Sequence, residues 1–419
     1  VSGAASGAET PPRAPYPAPV AFPLVHATSE ILTALADELV AVRRDLHAHP
    51  ELSWHESRTT ALLAQRLDAA GIRYRLLTRS GLVAEVGDPD LPGPVVALRG
   101  DIDALPLDDR TELPWCSTTP GAAHACGHDL HATALLGAAL TLHELAGRGA
   151  LPGRVRLIFQ PAEEVMPGGA LEVLTTDALK DVEMIFALHC DPSLDVGQVG
   201  LREGPVTGAA DSLVVHLHGR GGHTSRPHLT EDLTFALGKL LTELPAVLSR
   251  RIDPRAGVSV VWGQVEAGVA QNVIPADGRM SGTVRMLDAE AWAVAEDVVR
   301  RAVGLLAAPY GVEAEVHYQR GVPPVVNDAD ATAVLRRAAV SVMGPSGATG
   351  TQQSLGGEDF GWYLQHVPGA LARLGTRTPG GRTYDLHQGD LVVDERAVTL
   401  GAGLLAVAAL EALEDRRPA

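Results

Sequence analysis

PVVALRGDIDALP, residues 94–106, sets an unbroken apolar run directly against Arg99 and two aspartates, Asp101 and Asp103. The run 94–98 has the length and Val content of a buried strand. Two later runs have the same form. VRLIF at 155–159 ends in Gln160-Pro161-Ala162-Glu163-Glu164, and MIFAL at 184–188 ends in His189-Cys190. Between the first two, LHATALLGAALTLHEL at 130–145 reads as an Ala- and Leu-rich helix. Buried strands separated by helices predict an α/β layer with a largely parallel sheet. In open sheets of that kind ligands bind outside the carboxyl ends of the strands. Asp, Glu-Glu and His ends on three strands are therefore expected along one edge, around one site.

Working outward, a helix is predicted over 28–47 from the spacing of Leu32, Leu35, Leu39 and Val42, and a second over 56–70, stopped by Gly71. The first residues are rich in Ala, Pro, Gly and Ser and lack a basic start followed by an apolar stretch. They read as a flexible extension over 1–25 rather than a secretory signal. From about residue 211 the pattern changes. It runs strand (SLVVHLHG), helix (231–250), strand (GVSVVWG), strand (GRMSGTVRML), helix (288–306) and strand (VEAEVHY). That β-α-β-β-α-β order belongs to a small ferredoxin-like unit. After Pro323 and Pro324 longer helices return, ending with one over 395–413. The expected partition is a larger domain built from 26–207 and 325–419, interrupted by an inserted domain over 208–324.

The chain has 419 residues and a formal net charge of -17. Phosphate recognition needs an excess of Lys and Arg, so nucleic acid is not expected as a partner. No run of about 18 consecutive apolar residues is present, so no membrane partner is expected either. Cysteine occurs three times, at 116, 126 and 190. An odd, sparse count is no disulfide framework and points to a reducing, cytoplasmic setting.

The chemistry-bearing residues gather in HACGHDLH, residues 124–131. Gly127 lets the chain turn so that Cys126 and His128 can face one ion, and thiolate and imidazole both suit transition metals. One Cys beside one His is more often packing. Three His, a Cys and an Asp within eight residues favour metal. Adjacent Glu163 and Glu164 offer one carboxylate for metal and one for proton transfer, although a solvated acidic loop is the commoner fate of such a pair. His189, at the end of an apolar strand, and His387, in a polar loop before the last helix, are each weak alone. Cys190 reads as packing.

These residues, in this order, resemble the M20 metallopeptidase family, and within it the amidohydrolase branch of hippurate hydrolases, N-acyl-amino-acid aminoacylases and auxin-conjugate hydrolases. The matching segments are RDLHAHPELSWHE (44–56), RGDIDALP (99–106), HACGHDLH, FQPAEE (159–164), GGHTSRPH (221–228), QNVIP (271–275), GTVR (282–285), GGEDF (356–360) and Leu386-His387. The resemblance implies a zinc-peptidase-like α/β catalytic domain with an inserted ferredoxin-like lid that pairs two subunits as a homodimer. It implies two divalent ions (Mn, Zn, Ni or Co) held by Cys126, His128, Glu164, His189 and His387, with Cys126 shared between them.

Carried over in the same way, Glu163 is the general base and His223, in the lid loop, the donor to the oxyanion, offered from the partner subunit. Asn272 and Arg285 match lid positions able to hold a substrate carboxylate, or else are structural. Asp101, Asp103, Asp129, His131 and Glu358 fall where they would orient the ligands; Glu358 and Asp359 equally suit a helix cap before Phe360. The expected activity is metal-dependent hydrolysis of N-acyl or N-aroyl amino acids. A di- or aminopeptidase is the alternative, and an idle binding protein on the same fold a third. Two departures from the branch pattern, Cys-Asp-Pro after His189 and Gln-Gly-Asp after His387, bear on substrate identity rather than on reaction type.

Overall fold

The computed structural model describes residues 22–90 and 93–416. Helices α1 (Phe22–Ala48) and α2 (Ser57–Ala70) lead into a hairpin of β1 (Arg73–Leu76) and β2 (Leu82–Val86). There follow β3 (Val95–Asp101), α3 (His128–Gly147), β4 (Arg154–Gln160), the short α4 (Ala170–Leu174), β5 (Val182–Asp195), β6 (Val199–Leu201) and the two-residue β7 (Gly204–Pro205). Helix α1 begins at Phe22, so residues 22–25, expected in an extension, belong to the first helix. The rest of that expected extension, 1–21, lies outside the described residues. Helix α2 stops at Gly71, whose φ of +74° lets its N–H turn back onto the carbonyls of Asp68 and Leu67.

A second group of elements comes next: β8 (Ala209–His218), the two-residue β9 (Gly222–His223), α5 (Leu233–Arg251), β10 (Ser259–Ala267), the two-residue β11 (Val273–Ile274), β12 (Asp277–Met286), α6 (Ala289–Ala307) and β13 (Glu313–Val322). Asp232 and Asp288 start its helices by accepting from the N–H groups of Phe235 and Ala291. The chain closes with β14 (Val326–Asn327), α7 (Ala329–Met343), β15 (Ala348–Gly350), α8 (Gly361–Leu364), β16 (Gly369–Arg377) and α9 (Arg396–Asp415).

The large sheet has the order β1-β2-β4-β3-β5-β16-β6-β15. Its centre is parallel, through β4–β3, β3–β5 and β5–β16. The β1–β2 hairpin pairs antiparallel, as do β2 with β4 and β6 with β16, so the sheet is mixed at its flanks rather than parallel throughout. Alternate residues of the central strands serve two faces. Val96, Leu98, Met184 and Phe186 join the core beneath α1, α3 and α9, and Ala97, Ile158, Ile185 and Ala187 join a smaller core on the other face. Helix α9 is long and apolar enough to cross a membrane by composition alone, but 83% of its most apolar window is buried. It is the central core helix, packed on α3, α7 and α1.

The second sheet, β10-β12-β8-β13, is antiparallel at every described pairing. It has its own core, with Leu213, Val215 and Leu217 of β8 set against Leu237, Leu240 and Leu244 of α5 and Val299 and Val303 of α6. The strands by which the chain enters and leaves this unit, β7 and β14, pair with each other. The Val206 N–H also donates to the Val325 carbonyl at 2.8 Å.

Candidate metal centre

Strand β3 ends at Asp101, β4 at Gln160 just before Glu163 and Glu164, and β5 carries His189. These ends lie side by side in the parallel centre of the sheet, and α3 begins at their edge with His128. Gly127, directly before α3, has a φ of +86°, and a Cβ there would sit 2.5 Å from the Cys190 sulfur. Only glycine fits that approach, which presses the 126–128 turn onto the end of β5. His387 arrives from the loop before α9, its N–H donating to the Ala125 carbonyl at 2.8 Å and its own φ at +60°.

Cys126, His128 and His189 present ligand atoms within 4.8 Å of one another, and so do Cys126, Glu164 and His387. The two groups share Cys126. Within them Cys126 Sγ lies 3.5 Å from His189 Nε2, and His387 Nε2 lies 3.4 Å from Glu164 Oε1. His128 Nε2 is 3.8 Å from the same Glu164 oxygen. His128 Nε2 and Glu164 Oε1 are buried and have no hydrogen-bond partner. Polar atoms so placed are costly unless something else satisfies them. Burial also pushes the Cys126 thiol well up, against the pull of His128, and a cation beside it would hold the thiolate. Orphaned imidazole and carboxylate atoms around a buried thiol are a donor set that fits divalent ions.

Behind these atoms, each imidazole is turned by its other nitrogen. His128 Nδ1 faces the Asp103 carbonyl at 3.0 Å and its carboxylate at 3.1 Å. Asp103 also accepts from Ser53 and from the Glu164 N–H, so it ties the His128 ring to the Glu163–Glu164 turn. His189 Nδ1 faces the Cys190 carbonyl at 2.8 Å. His131 has both nitrogens engaged, with Asp101 at 2.6 Å and the Cys190 N–H at 2.8 Å, which leaves it none for an ion. The Asp129 carboxylate faces away, toward His47 and Arg43 of α1.

Glu163 reaches two sets of neighbours: it lies 3.9 Å from His128 Nε2 and groups with His128 and Glu164. Its carboxylate also lies within 4.8 Å of those of Glu358 and Asp359. Burial, then the negative charges of Glu358, Glu164 and Asp359, hold its carboxyl well above the usual range. Burial likewise lifts Asp359 to about 7 despite the guanidinium of Arg99. Arg99, fully buried, bonds Asp101 and Asp359 at 2.6 Å each and approaches Glu358 at 3.1 Å. Glu358 also accepts from the Phe360 N–H, but the helix begins at Gly361 with Phe360 in the cap position and no side-chain cap bond, so the expected cap by Glu358 or Asp359 is not formed.

A cavity of about 280 Å³ opens onto this cluster, lined by Cys126, Glu163, Glu164, His189, His387 and also Arg285. Arg285 donates to the Leu355 carbonyl there. His223 and Asn272 are not among the lining residues. His223 is exposed on β9, its ring hydrogen-bonded within its own loop to Ser225, and the Asn272 carbonyl accepts from Thr224 on the same loop. Sequence reasoning assigned no role to Arg99, Glu56 or His47, although each lies inside a quoted motif. Glu56 accepts from Ser80 and from the Ala162 N–H, bracing the turn before Glu163. The signal was there in RGDIDALP and RDLHAHPELSWHE, but a buried Arg or Glu and a surface one are written alike.

The model for peptidase family M20/M25/M40 matches residues 97–411. A Rhodococcus jostii protein named putative glutamate–cysteine ligase 2-3 is 49% identical over 90% of this chain, and this chain spans 47% of that protein's length. An N-acetylcysteine deacetylase of Bacillus subtilis is 37% identical, covering 91% of this chain and 98% of its own. Among solved structures, a dinuclear metal binding peptidase of the M20 family from Bacillus subtilis superposes with a TM-score of 0.79 at 34% identity, covering 91% of this chain and 99% of that one.

Proposed function

This chain belongs to peptidase family M20/M25/M40, in its amidohydrolase branch, and is a hydrolase of amide bonds; from that premise we propose that it releases amino acids from N-acyl or N-aroyl amino acids. The observation that carries this reading is the pair of donor groups sharing Cys126, set beside one carboxylate, Glu163, that belongs to neither Cys126 group. In this reading two divalent ions are held by Cys126, His128, Glu164, His189 and His387. When bound, such ions acidify water and polarise the scissile carbonyl.

Glu163 takes a proton from the attacking water and gives it to the departing nitrogen. Burial, and then the carboxylates of Glu358, Glu164 and Asp359, favour the protonated form that must persist between those two transfers. The second unit is a ferredoxin-like lid inserted over 208–324 between catalytic segments 26–207 and 325–419, a partition supported by its separate core and by the β7–β14 pairing at its base. His223 and Asn272 lie outside the cavity of their own chain, so they serve the site of a second copy. The exposed Val261 and Val265 on the lid's edge strand support that homodimer. Asn272 and Arg285 hold the substrate carboxylate. The unbridged cysteines suit a cytoplasmic setting.

The test pairs metal analysis with release of free amino acid from N-acetyl, N-benzoyl and dipeptide substrates. Near two ions per chain with chelator-sensitive release from the acyl substrates is expected, and preference for dipeptides would turn the reading to a peptidase. Glu163→Gln should keep its metal and lose turnover by about 100- to 10,000-fold. Near-wild-type turnover in that variant would refute the base assignment.

A further inference from the structure

Beyond the cluster lies a second cavity of about 870 Å³, built from the segment after His189, the 350–354 loop and the 383–388 loop. It shares Ser354, Arg373 and Leu386 with the smaller cavity over the cluster, so the two adjoin. Arg373 stands at the junction. It sits on β16 directly across from His189 of β5 in the parallel register, and neighbours so paired share one face of the sheet. Its charge is close enough to help depress the His189 pKa, after burial itself.

What sets Arg373 apart is that its guanidinium has no hydrogen bond or ion pair among the described residues. Other half-buried arginines of this domain are engaged, among them Arg156 with Glu85, Arg337 with Glu411 and Arg377 with Asp195. The carboxylates that share the large cavity do not answer Arg373 either. Asp191 is taken up by Ser193, through both N–H and hydroxyl, and Asp385 by the Leu386 N–H. A half-buried guanidinium with five donors and no acceptor favours an anion, and its planar fork matches a carboxylate.

We propose that the large cavity is the acyl subsite and that Arg373 selects acyl groups ending in a carboxylate, so that the preferred substrates are half-amides of dicarboxylic acids with amino acids. This rests on the reading of the protein as an N-acyl amino acid hydrolase, with Arg285 left to the amino acid's own carboxylate. The reaction is unchanged: water adds at the acyl carbon, the C–N bond breaks, and a dicarboxylate and an amino acid leave.

The test compares N-succinyl-alanine with N-butyryl-alanine, which replaces the terminal carboxylate by a methyl group. Both are titrated calorimetrically into the metal-loaded protein and followed for alanine release. A charge-assisted bond of this type predicts a preference for the succinyl compound of about 10- to 100-fold in Kd. Arg373→Met, similar in length and uncharged, should bring the ratio near one, while Arg373→Lys should keep part of it even if the Met variant folds poorly. Equal binding of the two compounds to the wild type, or a ratio that survives Arg373→Met, overturns the proposal. Preferential binding without release from either compound supports the subsite and instead refutes the hydrolytic reading on which it was framed.

Discussion

Gly127→Ala tests how tightly the turn carrying Cys126 and His128 is locked to the strand carrying His189. At its φ of +86° an alanine pays left-handed strain of about 1–2 kcal/mol. The new Cβ would meet the Cys190 sulfur at 2.5 Å and the Cys190 Cβ at 3.1 Å. Neither side can retreat freely, because the Cys190 N–H is bonded to His131 and the whole region is buried. Overpacking of this kind costs about 1–3 kcal/mol, which makes the total about 2–5 kcal/mol. The same displacement moves Cys126 and His128 away from His189, so ion content should fall along with stability. Urea denaturation of the metal-free protein and metal analysis of the reloaded protein measure the two effects separately. Adding Cys190→Ala removes the closest clash but leaves the backbone strain, so the double variant should recover about 1–3 kcal/mol relative to additivity. A Gly127→Ala protein with wild-type midpoint and metal content, or strictly additive losses in the pair, would refute the reasoning.

Cys126→Ala should cut the bound metal, since that sulfur belongs to both donor groups; unchanged stoichiometry removes it from the ligand set. His223→Ala should lower turnover with metal content intact, and mixing it with inactive Glu163→Gln protein should restore part of the activity if the lid serves a second copy. No recovery in the mixed dimers would place His223 elsewhere. Asp211→Ala strips partners from the Trp292 indole, the Tyr318 hydroxyl and the Gly321 N–H, all buried in the second unit. A loss of about 2–4 kcal/mol is expected from groups left unpaired, read by Trp292 fluorescence in urea, and a change under 0.5 kcal/mol, small even for a surface substitution, would contradict it.

Much of this was legible because the site residues follow apolar runs. PVVAL, VRLIF and MIFAL form β3, β4 and β5, and their polar ends meet at one edge. The helices of the second unit appear within two residues of the periodicity, since Asp232 and Asp288 cap them. Strand β16 was not legible. GALARLGTR carries two arginines and two glycines, and its extended form comes from the slot between β5 and β6 rather than from its own propensity. Arg373 was hidden with it. HACGHDLH writes its histidines alike, so only the resemblance set His131 apart from His128; the partners that engage both its nitrogens, Asp101 and the Cys190 N–H, and the outward direction of Asp129 were beyond reach.

The position of β16 also bears on how the chain is made. It lies between β5 and β6, yet the whole second unit, α7 and β15 are synthesised before it. At ~5–20 residues per second, the ribosome takes on the order of 10 s or more to travel from β6 to the end of β16. Throughout that interval β5 has an open edge beside His189, where β16 will pair, and His387 has not been translated. The second unit can fold on the nascent chain, but the proposed ligand set is complete only when nearly the last stretch has left the tunnel. An N-terminal fragment that ends before β16, even one that includes the whole second unit, has a gap in the middle of its principal sheet.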